Sequence, residues 1–276
     1  MLATQFTPTK LLEILKSNQS WETFPQASNR SQWEAFLKDP LKQFRKTEML
    51  GRAKLLLNHP WPSLPATLFM EFVQNGNRGN FEALYFKRRI QFSELVMAEC
   101  LEYKGQFIND IINGFYVILE ETSWCLPAHH GRQEGDPLPD TKENLADLFA
   151  CQTAMILGEA YYLLKDKLFE ISPNLCYQIK NTIKTRVLNV FATTHKTHYW
   201  EDGHNNWAIW CASNVLGSAI YTVEDPEELA TLIHKLLKVF DNYYDKYSND
   251  GGCDEGPNYW GVSPGIMTVF LELLYS

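Results

Sequence analysis

The stretch SNDGGCDEGPNYWG, residues 248 to 261, places a phenol, Tyr259, between Pro257 and the indole of Trp260 in a loop with four glycines and three acidic groups. A tyrosine acts as a general acid or base when nearby positive charge or hydrogen bonds to the phenolate bring its pKa down. The carboxylates beside it, Asp250, Asp254 and Glu255, push the other way. A working Tyr259 therefore requires Asp254 and Glu255 to turn away from it or to pair with an Arg or Lys. The plainer reading of the same loop is a packed tip between two helices.

A second cluster precedes it. In HYWEDGHNNWAIW, Asn205 and Asn206 stand where a loop becomes a helix, with His204 before them and Trp207 and Trp210 after. Asparagine is a favoured N-cap, but both cannot cap one helix, so the spare amide points out of the helix end. A third cluster is His129 and His130, with Arg132, in the Pro/Gly-rich loop LPAHHGR. His195, His198 and His204 have irregular spacing and no H-E-x-x-H motif, which argues against a metal site. Paired carboxylates such as Asp202 and Asp254 would serve a glycoside hydrolase, where an inverting pair stands about 6.5–9.5 Å apart.

These residues need elements to hold them. In FINDIINGFYVIL the apolar residues Phe107, Ile108, Ile111, Ile112, Phe115, Ile118 and Leu119 lie on one helical face. Similar periodicity predicts helices over roughly 41–57, 81–103, 143–167, 174–192, 206–221, 226–246 and 263–275. Asp225 before Pro226, with Glu228 three residues on, and Ser172 before Pro173 read as N-caps with proline at the first helical position. No run alternates with a period of two, so the fold class is all-α. Medium to long helices alternate with long loops at 59–65, 123–140, 194–206 and 248–261. That pattern suggests helical hairpins stacked in a ring or arc, with the functional loops gathered on one side.

Composition narrows the function. The 276 residues carry a formal charge of −8, so no general attraction to nucleic acid or to an anionic membrane is expected. The N-terminus lacks a basic start followed by an apolar block, which reads as cytoplasmic; a secreted or periplasmic protein is compatible if the chain's start is not the natural one. No run reaches the length of a membrane span. The six cysteines form no CxxC pair and read as reduced structural thiols. Eight tryptophans and thirteen tyrosines suit stacking on sugar rings as well as core packing.

NNWAIWCASNVLGSAI followed by DGGCDEGPNYWG resembles the heparinase II/III-type polysaccharide lyases, in their helical (α/α) toroid domain. GNRGNFEALYFKRR and MAECLEYKGQFINDIINGFYVILEETSWCLPAHH resemble the same domain in the same order, so the likeness runs from about residue 75 to the end. It implies one incomplete toroid over 1–276, followed beyond Ser276 by a β-sandwich domain that supplies a further catalytic histidine. It also implies β-elimination on a uronic-acid-containing glycan, heparin- or alginate-like, without a cofactor. Asn205 or Asn206 would neutralise the uronate carboxylate, and Tyr259 would serve as acid/base. His129 and His130 would bind substrate, with Trp207, Trp260, His204 and Glu255 lining the site. Two other readings remain: a hydrolase on a similar helical barrel, and a non-catalytic helical scaffold that binds glycans.

Overall fold

A computed structural model describes residues 1–17, 22–129, 136–193 and 198–276, and every regular element among them is helical. The helices fall where the apolar periodicity puts them: Pro40–Leu55, Gly79–Glu102, Ile108–Leu119, Leu148–Ile171, Asn206–Thr222, Pro226–Lys246 and Pro264–Tyr275. The stretch expected to be helical over 174–192 is Pro173–Ile183, a π-helical turn at Lys184–Leu188, and Asn189–Thr193. Both predicted caps form. The Asp225 side chain accepts from the Glu227 N–H at 2.9 Å, and the Ser172 hydroxyl accepts from the Leu175 N–H at 3.2 Å. The helix expected from 143 begins instead at Leu148, because the Asp147 carboxylate takes the Ala150 N–H at 2.7 Å and sets the start there.

Four further helices lie outside the predicted ranges: Leu2–Gln5, Pro8–Ser17, Arg30–Phe36 and Ala66–Asn75. The first shows why. Its free N–H groups at Leu2 and Ala3 are satisfied by the carboxylate of Asp241, at 2.7 and 2.8 Å, a capping residue nearly the whole chain away.

The chain divides into two compact units, each discontinuous in sequence. One comprises Met1–Thr23, Ala146–Gly158 and Ile183–Ser276; the other comprises Phe24–Leu145 and Glu159–Thr182. In the first, Asn206–Thr222 packs against both Pro226–Lys246 and Pro264–Tyr275, and Pro8–Ser17 lies on Pro226–Lys246. Phe240 and Phe270 stack there with ring centres 5.0 Å apart. Gly217 lets the Met155 side chain in so closely that a Cβ at this position would stand 2.1 Å from its sulfur. In the second unit Gly79–Glu102 is the central helix, with Pro40–Leu55, Ala66–Asn75 and Ile108–Leu119 against it. Phe92 meets Phe115 edge to face at 4.8 Å.

Candidate functional site

The stretch from His198 to the Asn206–Thr222 helix is tied to its unit by long polar side chains of the Pro226–Lys246 helix. Asn242 donates to the carbonyls of Glu201 and Gly203 at 3.4 and 3.2 Å, and one turn further on Lys246 Nζ donates to the Asp202 carbonyl at 2.9 Å. Beneath them Trp200 is buried, stacked on Phe191 and His198, and its indole N–H bonds the Ala146 carbonyl at 2.8 Å. His198 pairs with Glu201 at 2.9 Å, and Lys235 reaches the same carboxylate at 3.2 Å. Burial pushes the Glu201 carboxyl up, but the bonds from His198 and the Lys235 charge outweigh it and hold the group below its ordinary range. Residues 198–204 thus reach the helix start in a fixed conformation. His195 lies outside the described residues.

Asn205 is the N-cap residue, as the sequence reading allowed for one of the pair, yet its side chain makes no capping bond. The Asn206 N–H is taken instead by the carboxylate of Glu255, at 2.6 Å. A helix start carries partial positive charge and unsatisfied N–H groups, so a carboxylate is a favourable guest there. This bond crosses 49 positions of sequence and pins the tyrosine-bearing loop to the asparagine-bearing helix. Two fates are expected for Glu255, turning from the phenol or pairing with an Arg or Lys; among the described residues the carboxylate pairs with neither cation and goes to a backbone donor.

The 248–261 loop is a chain of tight turns. The Asp250 carboxylate accepts from the Ser248 hydroxyl at 2.7 Å and the Gly252 N–H at 2.8 Å, which holds it below the usual carboxylate range. Gly251 and Gly256 supply the positive φ angles, +76° and +95°, that a side chain would resist. From Gly256 the chain enters a 3-10 turn, Pro257–Tyr259, and Gly265 N–H closes back onto the Trp260 carbonyl at 2.8 Å. Tyr259 is not in the core: 39% of it is exposed, and Trp260 is more exposed at 56%. Nearby in sequence, Ser263 is buried and shares a 2.6 Å hydrogen bond with Tyr243. Burial pushes that phenol up to about 12, with the Ser263 bond opposing, so Tyr243 stays neutral and structural.

A small pocket of about 90 Å³ opens between the two loops, lined by His204, Asn205, Tyr247, Cys253, Asp254 and Glu255 among others. Asn206 is buried in the first helical turn beside it, while Trp207 is half-buried with its ring centre 5.0 Å from exposed Tyr199. Tyr259 and Trp260 do not line this pocket. Three of the lining groups escape a reading of the sequence: Lys246, Tyr247 and Cys253. Burial, then Cys253 and the carboxylates of Asp254 and Asp250, push the Tyr247 phenol up, so at neutral pH it can give a proton but not take one. A tyrosine one residue past a predicted helix end, facing a glycine-rich loop, is the signal that could have found it.

His129 belongs to the other unit, where its Nε2 lies 3.5 Å from Arg78, itself ion-paired with Glu82. His130 and Arg132 lie outside the described residues. In comparisons with known proteins, no family model matches the chain and no curated protein matches it significantly.

Proposed function

We propose that the His204–Asn205 loop and the 248–261 loop form a glycan-acting site, and that its chemistry is β-elimination on a uronate. What carries this reading is the Asn205 amide, which makes no capping bond and lines the pocket beside the Glu255 to Asn206 bond that ties the two loops together. A neutral amide can donate to a uronate carboxylate without the cost of desolvating a buried cation. Neutralised in that way, the sugar's C5 proton becomes acidic. Tyr259, exposed on the same loop that Glu255 anchors, takes that proton as a phenolate and passes it to the departing C4 oxygen as the C4–O bond breaks and the C4–C5 double bond forms. Asn205 suits the neutralising role better than Asn206, which is buried in the helix. The exposed aromatics Tyr199 and Trp260, with half-buried Trp207, offer flat faces to sugar rings.

Elimination leaves a double bond conjugated to the uronate carboxylate. The full protein incubated with heparan-type and alginate-type polymers should therefore generate ultraviolet absorbance that hydrolysis cannot produce. Tyr259→Phe should lower the rate about 10²–10⁴-fold, the worth of a positioned acid/base. Asn205→Ala should lower it about 10²–10³-fold, as for loss of one preorganised donor. New reducing ends without the chromophore would replace the lyase reading with hydrolysis by carboxylates such as Asp202 and Asp254. Glycan binding without turnover, indifferent to Tyr259→Phe, would leave the scaffold reading.

A further inference from the structure

The Pro40–Leu55 helix is amphipathic the wrong way round for part of its length. Leu41 and Phe44 face solvent, 62% and 61% exposed. Lys42, Arg45, Lys46 and Met49, spaced by three, four and seven from the first, share a stripe beside a groove of their own unit, with Lys42, Lys46 and Met49 half-buried and Arg45 exposed. The second half of that face, Leu50 and Ala53, is buried normally. The first half does not reach a core. It borders a groove of about 460 Å³, a volume within the range of about 300–1,000 Å³ common for small-molecule sites.

The rest of the groove is apolar: Phe24, Trp33, Leu37, Met97, Leu101 and Leu163. Trp33 is a fixed wall, because its indole N–H is shared between the carbonyls of Pro25 and Gln26 at 3.1 and 3.0 Å. Lys42 Nζ lies 3.8 Å over the ring of Phe36, at the mouth. None of Lys42, Arg45 and Lys46 has a carboxylate partner among the described residues. Three cations without a counter-charge, beside an apolar trough, match a molecule that is apolar along its length and negative at one end. The Glu159 carboxyl also lines the groove. Burial pushes its pKa up, and it has no ion pair with any of the three cations among the described residues. A second negative end would meet it.

We propose that this groove binds a single-chain monocarboxylate amphiphile of the fatty-acid kind, with its carboxylate against Lys42, Arg45 and Lys46 and its chain along Trp33, Met97 and Leu163. The site is independent of the loop cluster in the other unit and of its chemistry. Calorimetric titration of the full chain with dodecanoate, below its micelle concentration, should give saturable one-to-one binding. Dodecanol and dodecanedioate should each bind at least about tenfold more weakly, the first for want of the charge and the second because of Glu159. The triple change Lys42→Gln, Arg45→Gln, Lys46→Gln should weaken dodecanoate by about tenfold or more and leave dodecanol as it was. Met97→Trp, which fills the trough, should abolish both while the far-ultraviolet helical signal is retained. No saturable binding of dodecanoate, or equal binding by the triple variant, would overturn the assignment. So would concentration-dependent self-association, lost in the Met97→Trp protein, that occurs without any dodecanoate binding. That result would make the groove an interface between copies.

Discussion

Glu121 and Glu255 are both carboxylates drawn toward positive charge, and the two units use them in opposite ways. Glu121 is 3% exposed and lies between two guanidiniums: Arg88 at 3.0 Å, and Arg89 through two bonds at 2.7 and 2.6 Å. Arg88 also donates to the carbonyls of Pro62 and Val117, and Arg89 lies 3.4 Å over the ring of Tyr85. The result is a buried, mutually satisfied polar cluster, of which Arg88 and Glu121 also border a cavity of about 420 Å³. Glu255 makes one bond to a helix start, in a half-open pocket where the His204 and Asn205 side chains remain available. A carboxylate surrounded by side-chain cations holds a fold together. One that satisfies a helix end from outside frees the residues beside it for a ligand.

The largest expected effect breaks the buried cluster. Glu121→Gln removes the charge shared by two buried guanidiniums and should cost about 3–5 kcal/mol, the range for losing one partner of a buried pair. Urea unfolding reads it directly. Turnover or glycan binding per folded molecule should not change. A loss under about 1 kcal/mol would mean that the arginines are solvated and the contrast with Glu255 does not hold.

Glu255 should give a smaller stability effect and a larger functional one. Glu255→Ala removes an N-terminal hydrogen bond and should cost about 0.5–2 kcal/mol. Glu255→Gln keeps an oxygen acceptor and loses only the charge at the helix start, about 0.3–1 kcal/mol. Because the bond also fixes one loop to the other, glycan turnover should fall in the order wild type, Gln, Ala. Equal turnover in all three would detach Glu255 from the site and leave it a cap alone.

Much of the arrangement is legible in the sequence because its causes are local. The 3.6-residue periodicity of Ile108–Leu119 and the Asp225–Pro226 cap depend on neighbours three or four positions away, and both appear where expected. The residues that join distant stretches are not legible. Asp241 caps the first helix, and Glu255 caps the helix at Asn206, across separations that no local pattern encodes. Asparagine before a helix reads as its cap, and Asn205 does hold the N-cap position, but its side chain makes no capping bond, while a carboxylate from another loop takes the N–H of Asn206. Lys246 looks like an ordinary charge in a last helical turn, yet it holds the Asp202 carbonyl. Leu41 and Phe44 fit the apolar periodicity of their helix, yet they point outward.

The smallest effects separate the units by pH, through two other carboxyls. Glu201 in the first unit is held below its ordinary value of 4.5 by His198 and Lys235 despite its burial. The unfolded chain therefore takes up a proton before the folded one does. The stability Glu201 contributes is present above the unfolded value and is lost as pH falls through the folded one. Glu159 in the second unit is raised above 4.5 by burial, so the folded protein holds a proton that the unfolded chain has released. Its contribution is full below the unfolded value and is lost as pH rises through the folded one. Urea midpoints followed from about pH 3 to pH 8 should show Glu201→Gln flattening the acid limb and Glu159→Gln flattening the limb above it, each by at most about 1.4 kcal/mol per pH unit. Dodecanoate bound in the groove should leave the acid limb untouched and alter the Glu159 limb, because Glu159 lines the groove and Glu201 does not. If both substitutions flattened the same limb, the two carboxyls would share one environment, and the contrast between a charge-paired carboxyl and a desolvated one would fail.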